Sequence, residues 1–235
     1  VKSKSLRPLG SLKSKFKKIG IVGSGLMGHG IAYVSSYYGF KVVLIDNSKE
    51  NVLTAFSKIE KMFKTEIKQN LFSNSQMEKC LENIKVSTDV SDLKGCDLVI
   101  EAVYEDTAIK RDVTIAAEKI MKSSGVFSSN TSTIPISKLA TVSVRPENFI
   151  GIHFFSPVHK MKLVEIIKGK DTSKDTLDII LKISSDLNKI PIECNDSPGF
   201  VSNRILMPMI NEAAYCLHEG VADAPSIDSI MKLGM

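Results

Sequence analysis

The run GIHFFSPVHKMKLVEII, residues 151–167, carries a histidine and a glutamate in settings where acid–base chemistry can be done. His153 closes one apolar stretch, and Glu165 sits inside the next, flanked by Val164 and Ile166. A glutamate within an apolar strand is seldom buried without a partner. His153 can supply that partner: a carboxylate beside an imidazole holds one tautomer and stabilises the protonated ring, which is what a general base needs. On residue type alone, a histidine ending a strand is more often a packing or surface residue. His159, beside Lys160 and Lys162, is read as solvated. Upstream, SSNTSTIPIS (128–137) gathers Ser129, Asn130, Thr131, Ser132 and Thr133 behind a strand-like stretch. At the carboxyl end of a strand such residues can hold a ligand. Capping of the helix expected near residue 136 accounts for the run better on composition alone.

A second constellation lies near the start. IGIVGSGLMGHGIA (19–32) places Gly23, Gly25 and Gly28 between a β-branched run and an apolar helical stretch, and Asp46 ends the next strand-like run. The glycine spacing alone is weak evidence; with strand, helix and acid in this order it is the Rossmann arrangement. Gly23 makes the tight turn, Gly25 lets backbone approach a pyrophosphate, and Gly28 lets helix pack on strand. The helix N-terminus offers amides and a positive dipole end to phosphate. Asp46 can accept the ribose hydroxyls and repels a 2′-phosphate, so NAD is expected rather than NADP.

The elements that must hold these residues alternate along the chain. Strands are expected at KKIGIVG, 41–46, 97–103, 125–130, 149–155, 162–169 and 189–194, with helices at 26–38, 49–70, 106–122 and 173–187. In the long helix Val52, Leu53, Phe56, Ile59, Met62, Phe63 and Ile67 form one apolar stripe. The fold class is therefore α/β with a mainly parallel sheet. Near residue 195 the pattern changes: Ser197 reads as an N-cap, Pro198 as the first helical residue, and 199–219 as a helix apolar on most faces that expects burial. Pro208 should kink it and Gly220 end it. The division expected is a basic tail or linker over 1–17, an NAD-binding Rossmann domain over 18–197, and an all-helical domain starting at 198 and running to 235.

Composition narrows the function classes. The 235 residues include 31 Lys and Arg against 26 Asp and Glu, but six lysines and one arginine crowd into residues 1–18, which hold no acid. Without them the body is slightly acidic, which argues against a nucleic-acid-binding domain. The tail reads as a solvated terminus; a mitochondrial presequence remnant is the sharper alternative, against which its lysine dominance counts. No apolar run is long enough to span a membrane. Cys80, Cys96, Cys194 and Cys216 lack C-x-x-C spacing, so neither a metal site nor a disulfide framework is expected.

Taken together, GSGLMGHGIA, EAVYED, SSNTS, HFFSPVHKMKLVEII and SPGFVSNRILMPMINEA resemble the L-3-hydroxyacyl-CoA dehydrogenase family, in order and spacing, from about residue 17 onward. HFFSPVHKM is similar to multifunctional fatty-acid-oxidation enzymes; NRILMPMINEA and EGVADAPSIDSIMKLGM are closer to stand-alone 3-hydroxybutyryl-CoA dehydrogenases. The resemblance implies NAD-dependent interconversion of (S)-3-hydroxyacyl-CoA and 3-oxoacyl-CoA. It assigns His153 as the base, Glu165 as its partner, and Ser132 and Asn203 as substrate contacts. Cofactor contacts fall on Gly23, Ser24, Gly25, Leu26, Met27 and Gly28, on Asp46, Glu105 and Lys110, and on Ser132; Ser156 stands where many members have asparagine. Coenzyme A contacts do not map; Lys58, Lys61, Lys64 and Lys68 are candidates, with a solvated helix face as the plainer reading. The resemblance further implies an acyl-CoA substrate, no nucleic acid or membrane partner, a homodimer for the full-length parent, and a cytoplasmic or, alternatively, mitochondrial-matrix setting.

Overall fold

The computed structural model describes residues 15–235, so the basic tail lies almost wholly outside the described residues. From β1 (Lys18–Val22) the chain passes through α1 (Leu26–Tyr37) to β2 (Lys41–Ile45). KIGIV and KVVLI are buried over nearly their whole length, as parallel strands covered on both faces must be. α2 (Lys49–Lys68) is capped by the Ser48 hydroxyl and buries Val52, Ala55, Ile59 and Phe63 at spacings of three and four. Leu53, one residue off that line, is exposed.

α3 (Asn74–Glu82) and β3 (Ile84–Ser87) follow. Neither was expected: α3 is short and polar, and its start is fixed by a reciprocal Ser73–Gln76 capping box rather than by an apolar stripe. Next come β4 (Leu98–Glu101), α4 (Thr107–Glu118), β5 (Val126–Ser129), the single turn α5 (Ile136–Leu139) and β6 (Phe149–Phe154). The chain then runs through β7 (Leu163–Lys168), α6 (Lys174–Asp186), β8 (Ile190–Asn195), α7 (Ser202–His218) and α8 (Ala224–Gly234).

The eight strands form one sheet in the order β3-β2-β1-β4-β5-β6-β7-β8. Every pair is parallel except β6 with β7. The order reverses between β1 and β4, which opens the crevice at the carboxyl ends where open α/β sheets bind ligands. One apolar cluster covers one sheet face with Ile31, Val34, Ile59, Phe63, Ile180 and Ile183 of α1, α2 and α6. A second, including Ala117, Met121, Ile136 and Leu139, covers the other. The α/β architecture with trailing helices is the one the sequence implied.

The junction after β8 differs from expectation. α7 starts at Ser202, not at Ser197–Pro198. Gly199 (φ 74°) and Phe200 (φ 49°) both adopt left-handed backbone conformations, so no right-handed helix can pass through them. The Ser197 hydroxyl accepts from Arg204 Nη1 at 2.9 Å, and the capping acid here is Asp196, which takes the Ile136 and Ser137 amides of α5, each at 2.7 Å. The helix runs on through Pro208, and Gly220 (φ 71°) follows its end. Within this chain nothing covers the apolar helix: no residue of α7 or α8 is buried. α7 meets the sheet domain through its first turn, and that turn is where the site lies.

Candidate active site

The glycine loop has the geometry its spacing implied. Gly23 (φ 99°) hydrogen-bonds the Ile45 carbonyl through its amide at 2.8 Å. A Cβ on Gly28 would stand 1.8 Å from the Gly23 carbonyl oxygen, so only glycine lets α1 approach β1 this closely. Gly25 has open space where its Cβ would be, and the N-terminus of α1 has no side-chain cap. An uncapped helix start beside an open glycine fits a dinucleotide pyrophosphate. Leu26 is exposed there, and Met27 packs partly against the core.

Asp46 stands just past β2 and is pinned by the chain itself. Oδ2 accepts from the Ser24 amide at 2.9 Å and the Ser24 hydroxyl at 2.8 Å. Oδ1 accepts from the Ser48 amide at 3.3 Å and Asn51 Nδ2 at 3.0 Å. Partial burial opposes the charge, but these hydrogen bonds outweigh it and hold the carboxyl below its ordinary range. A fixed negative charge therefore stands at the carboxyl end of β2, beside the glycine loop.

Beyond β4 and β5 lies a polar network. The buried Glu101 Oε1 accepts from Lys110 Nζ at 2.8 Å and the Val103 amide at 2.8 Å, and Oε2 accepts from the Ser129 hydroxyl at 2.7 Å. Lys110, also buried, lies 3.2 Å from Glu105 Oε2. Glu105 Oε1 accepts from Thr131 Oγ1 at 2.5 Å, the Ser132 amide at 2.9 Å and the Thr133 amide at 3.1 Å. The hydroxyl run is thus a loop wrapped on a carboxylate, not the cap of a helix; α5 takes its cap from Asp196. Lys110 reaches the loop through Glu105 rather than presenting its ammonium openly.

The antiparallel β6–β7 pair sets His153 directly opposite Glu165. His153 Nδ1 and Glu165 Oε2 are 2.7 Å apart, both side chains are buried, and the Phe155 and Phe200 rings flank the imidazole at 4.6 and 5.8 Å between centroids. Glu165 has further donors: its Oε1 accepts from the Val201 amide at 3.3 Å and the Ser202 amide at 3.0 Å, and its Oε2 from the Ser202 hydroxyl at 3.0 Å. It is the cap that Ser197 was expected to be. Burial alone would raise the carboxyl's pKa; the His153 contact and the Ser202 bonds reverse the sign and lower it. One residue on, Asn203 Nδ2 donates to the Ser132 carbonyl at 3.0 Å. His153, Glu165, Ser132 and Asn203 thus join in two pairs, bridged by the first turn of α7.

The remaining candidates join neither pair. Ser156 is exposed in the loop after β6. His159 is exposed as expected, edge-on to Tyr33. Lys58, Lys61, Lys64 and Lys68 are exposed on α2, with Lys64 paired to Glu60. Among the described residues no group of three or more His, Cys, Asp and Glu is placed to hold a metal ion, and no helix is long and apolar enough to cross a membrane. Two residues of the site were missed from sequence. Glu101 ends an apolar strand much as Glu165 interrupts one, and the same argument would have found it. Ser202 was hidden inside the presumed helix.

Residues 18–197 match the family model for the 3-hydroxyacyl-CoA dehydrogenase NAD binding domain, and residues 199–235 match that for its C-terminal domain. A probable 3-hydroxybutyryl-CoA dehydrogenase of Deinococcus radiodurans is 47% identical over 93% of this chain and 78% of its own length. The human mitochondrial hydroxyacyl-coenzyme A dehydrogenase is 37% identical over 100% of this chain and 76% of its own. The crystal structure of (S)-3-hydroxybutyryl-CoA dehydrogenase from Ralstonia eutropha superposes with a TM-score of 0.91 at 42% identity, covering 93% of this chain and 77% of that one. The chain belongs to the 3-hydroxyacyl-CoA dehydrogenase family.

Proposed function

We propose that this chain oxidises the C3 hydroxyl of an (S)-3-hydroxyacyl-coenzyme A to the 3-oxoacyl thioester, reversibly, with His153 as general base. The family and the names of its relatives support the reaction and its cofactor. Bound in the glycine loop, NAD would supply the hydride acceptor for C3. The observation that carries the role of His153 is its buried bond to Glu165. An ionised carboxylate only accepts, so Nδ1 carries the ring proton and Nε2 keeps the lone pair that takes the hydroxyl proton. Glu165 supports the positive ring that results, and in the reverse direction Nε2 returns the proton to the C3 oxygen. Ser132 and Asn203 hold the substrate oxygens in this reading, supported by the bond that joins them.

The dinucleotide is held by Gly23, Ser24, Gly25, Leu26, Met27, Gly28 and Asp46, with Glu105 and Lys110 setting the loop that carries Ser132, and Ser156 offering a hydroxyl from the loop after β6. The division at 17/18 and 197/198 belongs to the same proposal, supported by the stretches the two family models cover. So does pairing with a second copy, supported by the exposed apolar residues of α7, among them Ile205, Met207 and Ile210. The compartment we propose is the cytoplasm, in line with the bacterial relatives, with the mitochondrial matrix as the alternative.

The test is turnover of acetoacetyl-CoA and of a long-chain 3-oxoacyl-CoA with NADH, for the parent and for His153→Ala. The variant is expected to lose roughly 10²- to 10⁴-fold in kcat, the usual contribution of a general base, with NAD affinity kept. Near-parental turnover would falsify the role of His153.

A further inference from the structure

Glu165 is the most heavily shared acceptor of the site. Its Oε1 takes two backbone amides from the start of α7, so the position of the carboxylate is set by the helix backbone. Its Oε2 takes two side-chain donors, His153 Nδ1 at 2.7 Å and Ser202 Oγ at 3.0 Å. The two donors compete for the same oxygen. Every hydrogen bond a carboxylate accepts withdraws negative charge from the others it serves.

We propose that Ser202 is a positioning residue for the His153–Glu165 pair: its hydroxyl takes part of the charge on Oε2 and so sets how strongly Glu165 favours the protonated imidazole. This rests on the reading of His153 as the base. Among the described residues, His153 on β6 and Cys194 on β8 are titratable side chains interacting with Glu165, the Cys194 thiol being raised first by burial and then by the Glu165 charge. From α7 the contacts are the Val201 and Ser202 amides and the Ser202 hydroxyl. Within this set the Ser202 hydroxyl can be removed while the carboxylate stays where it is, because both bonds to Oε1 come from backbone.

Without the hydroxyl, Oε2 keeps more negative charge for Nδ1, and the protonated ring is favoured. Oxidation of the 3-hydroxyacyl substrate needs the neutral ring, so the acidic limb of its pH–rate profile moves to higher pH. Reduction of the 3-oxoacyl substrate needs the protonated ring, so its alkaline limb moves the same way.

The experiment measures kcat/KM against pH in both directions for the parent, Ser202→Ala, Ser202→Cys and Ser202→Thr, with His153→Ala alongside. Ser202→Ala is expected to shift both limbs upward by about half a pH unit, the scale of one hydrogen bond to a shared charge. Ser202→Cys, similar in volume but a weaker donor, shifts them in the same direction, and Ser202→Thr restores the parental profile. A purely structural role would lower thermal stability and leave both limbs in place, which overturns the proposal. If His153→Ala is inactive while Ser202→Ala titrates like the parent, this inference alone fails; if His153→Ala stays active, the reading beneath it fails.

Discussion

Asp46 receives four hydrogen bonds from Ser24, Ser48 and Asn51 at distances of 2.8 to 3.3 Å. Its charge and place are thus set by the protein, as the proposed role of Asp46 in choosing between cofactors requires. An acid at this point repels a 2′-phosphate, whereas an arginine pairs with it. Asp46→Arg is expected to reverse the preference from NAD to NADP in binding titrations with both cofactors. Equal affinity of the parent for the two would remove Asp46 from the cofactor site. The Gly28→Ala variant tests the neighbouring loop through space rather than charge. Its methyl would meet the Gly23 carbonyl oxygen at 1.8 Å, and backbone cannot yield as a flexible side chain can. The loop must open or α1 must shift, and loss of NAD binding is expected even where the folded state survives.

At the scale of elements, much of the site was legible and some of it was hidden by tertiary choice. The glycine loop, seven of the eight strands and the acid after β2 declare themselves locally, because turn chemistry and apolar runs are properties of neighbouring residues; β3 (Ile84–Ser87) is too short and too polar to do so. The direction of β7 did not enter the expectation, yet it was within reach. The loop from Phe155 to Lys162 is too short for a crossover between parallel strands, which takes a dozen or more residues, so β7 had to turn back and face Glu165 toward His153. The Glu101–Lys110–Glu105 network was beyond local reading. Its members come from a strand end, a helix and the loop between them, and nothing near Lys110 in sequence says that a carboxylate of β4 will bury it. The network carries a prediction about stability. Glu101 and Lys110 are both buried and lie 2.8 Å apart, so Lys110→Met leaves a buried carboxylate with no opposite charge beside it, held only by the Val103 amide and the Ser129 hydroxyl. Such a loss costs about 3–5 kcal/mol, whereas replacing both members can be nearly neutral. Urea denaturation is expected to show a large loss for Lys110→Met and recovery of most of it in Glu101→Gln with Lys110→Met. Equal loss in single and double variants would mean that packing, not charge, dominates there.

For the molecule as a whole, stability above neutral pH is a contest between buried groups of opposite sensitivity. Burial raises the thiols of Cys80 to about 12 and Cys96 to about 11. The unfolded chain releases those protons earlier, so their contribution to stability fades as pH rises. Lys189 works the other way. It is buried at the turn from α6 into β8, its Nζ donating to the carbonyls of Val158 and Met161 in the loop that follows β6. Burial, with a smaller push from Lys162, lowers its pKa to about 8. The unfolded chain keeps this proton up to about 10.4, the ordinary value for lysine. Between the two values the unfolded state binds more protons, so this residue makes stability rise with pH. Below about pH 8 both states are charged and the whole burial cost is present; above the ordinary lysine value it is gone. Lys189→Met keeps the aliphatic stem and removes the titration. Because the thiols titrate equally in parent and variant, the difference between their unfolding free energies isolates Lys189. That difference is expected to shift in favour of the parent from pH 7.5 to pH 10, whatever offset the lost hydrogen bonds impose at neutral pH. Urea midpoints measured across this range decide the matter, and parallel curves for the two proteins would show that the ammonium is as well solvated folded as unfolded.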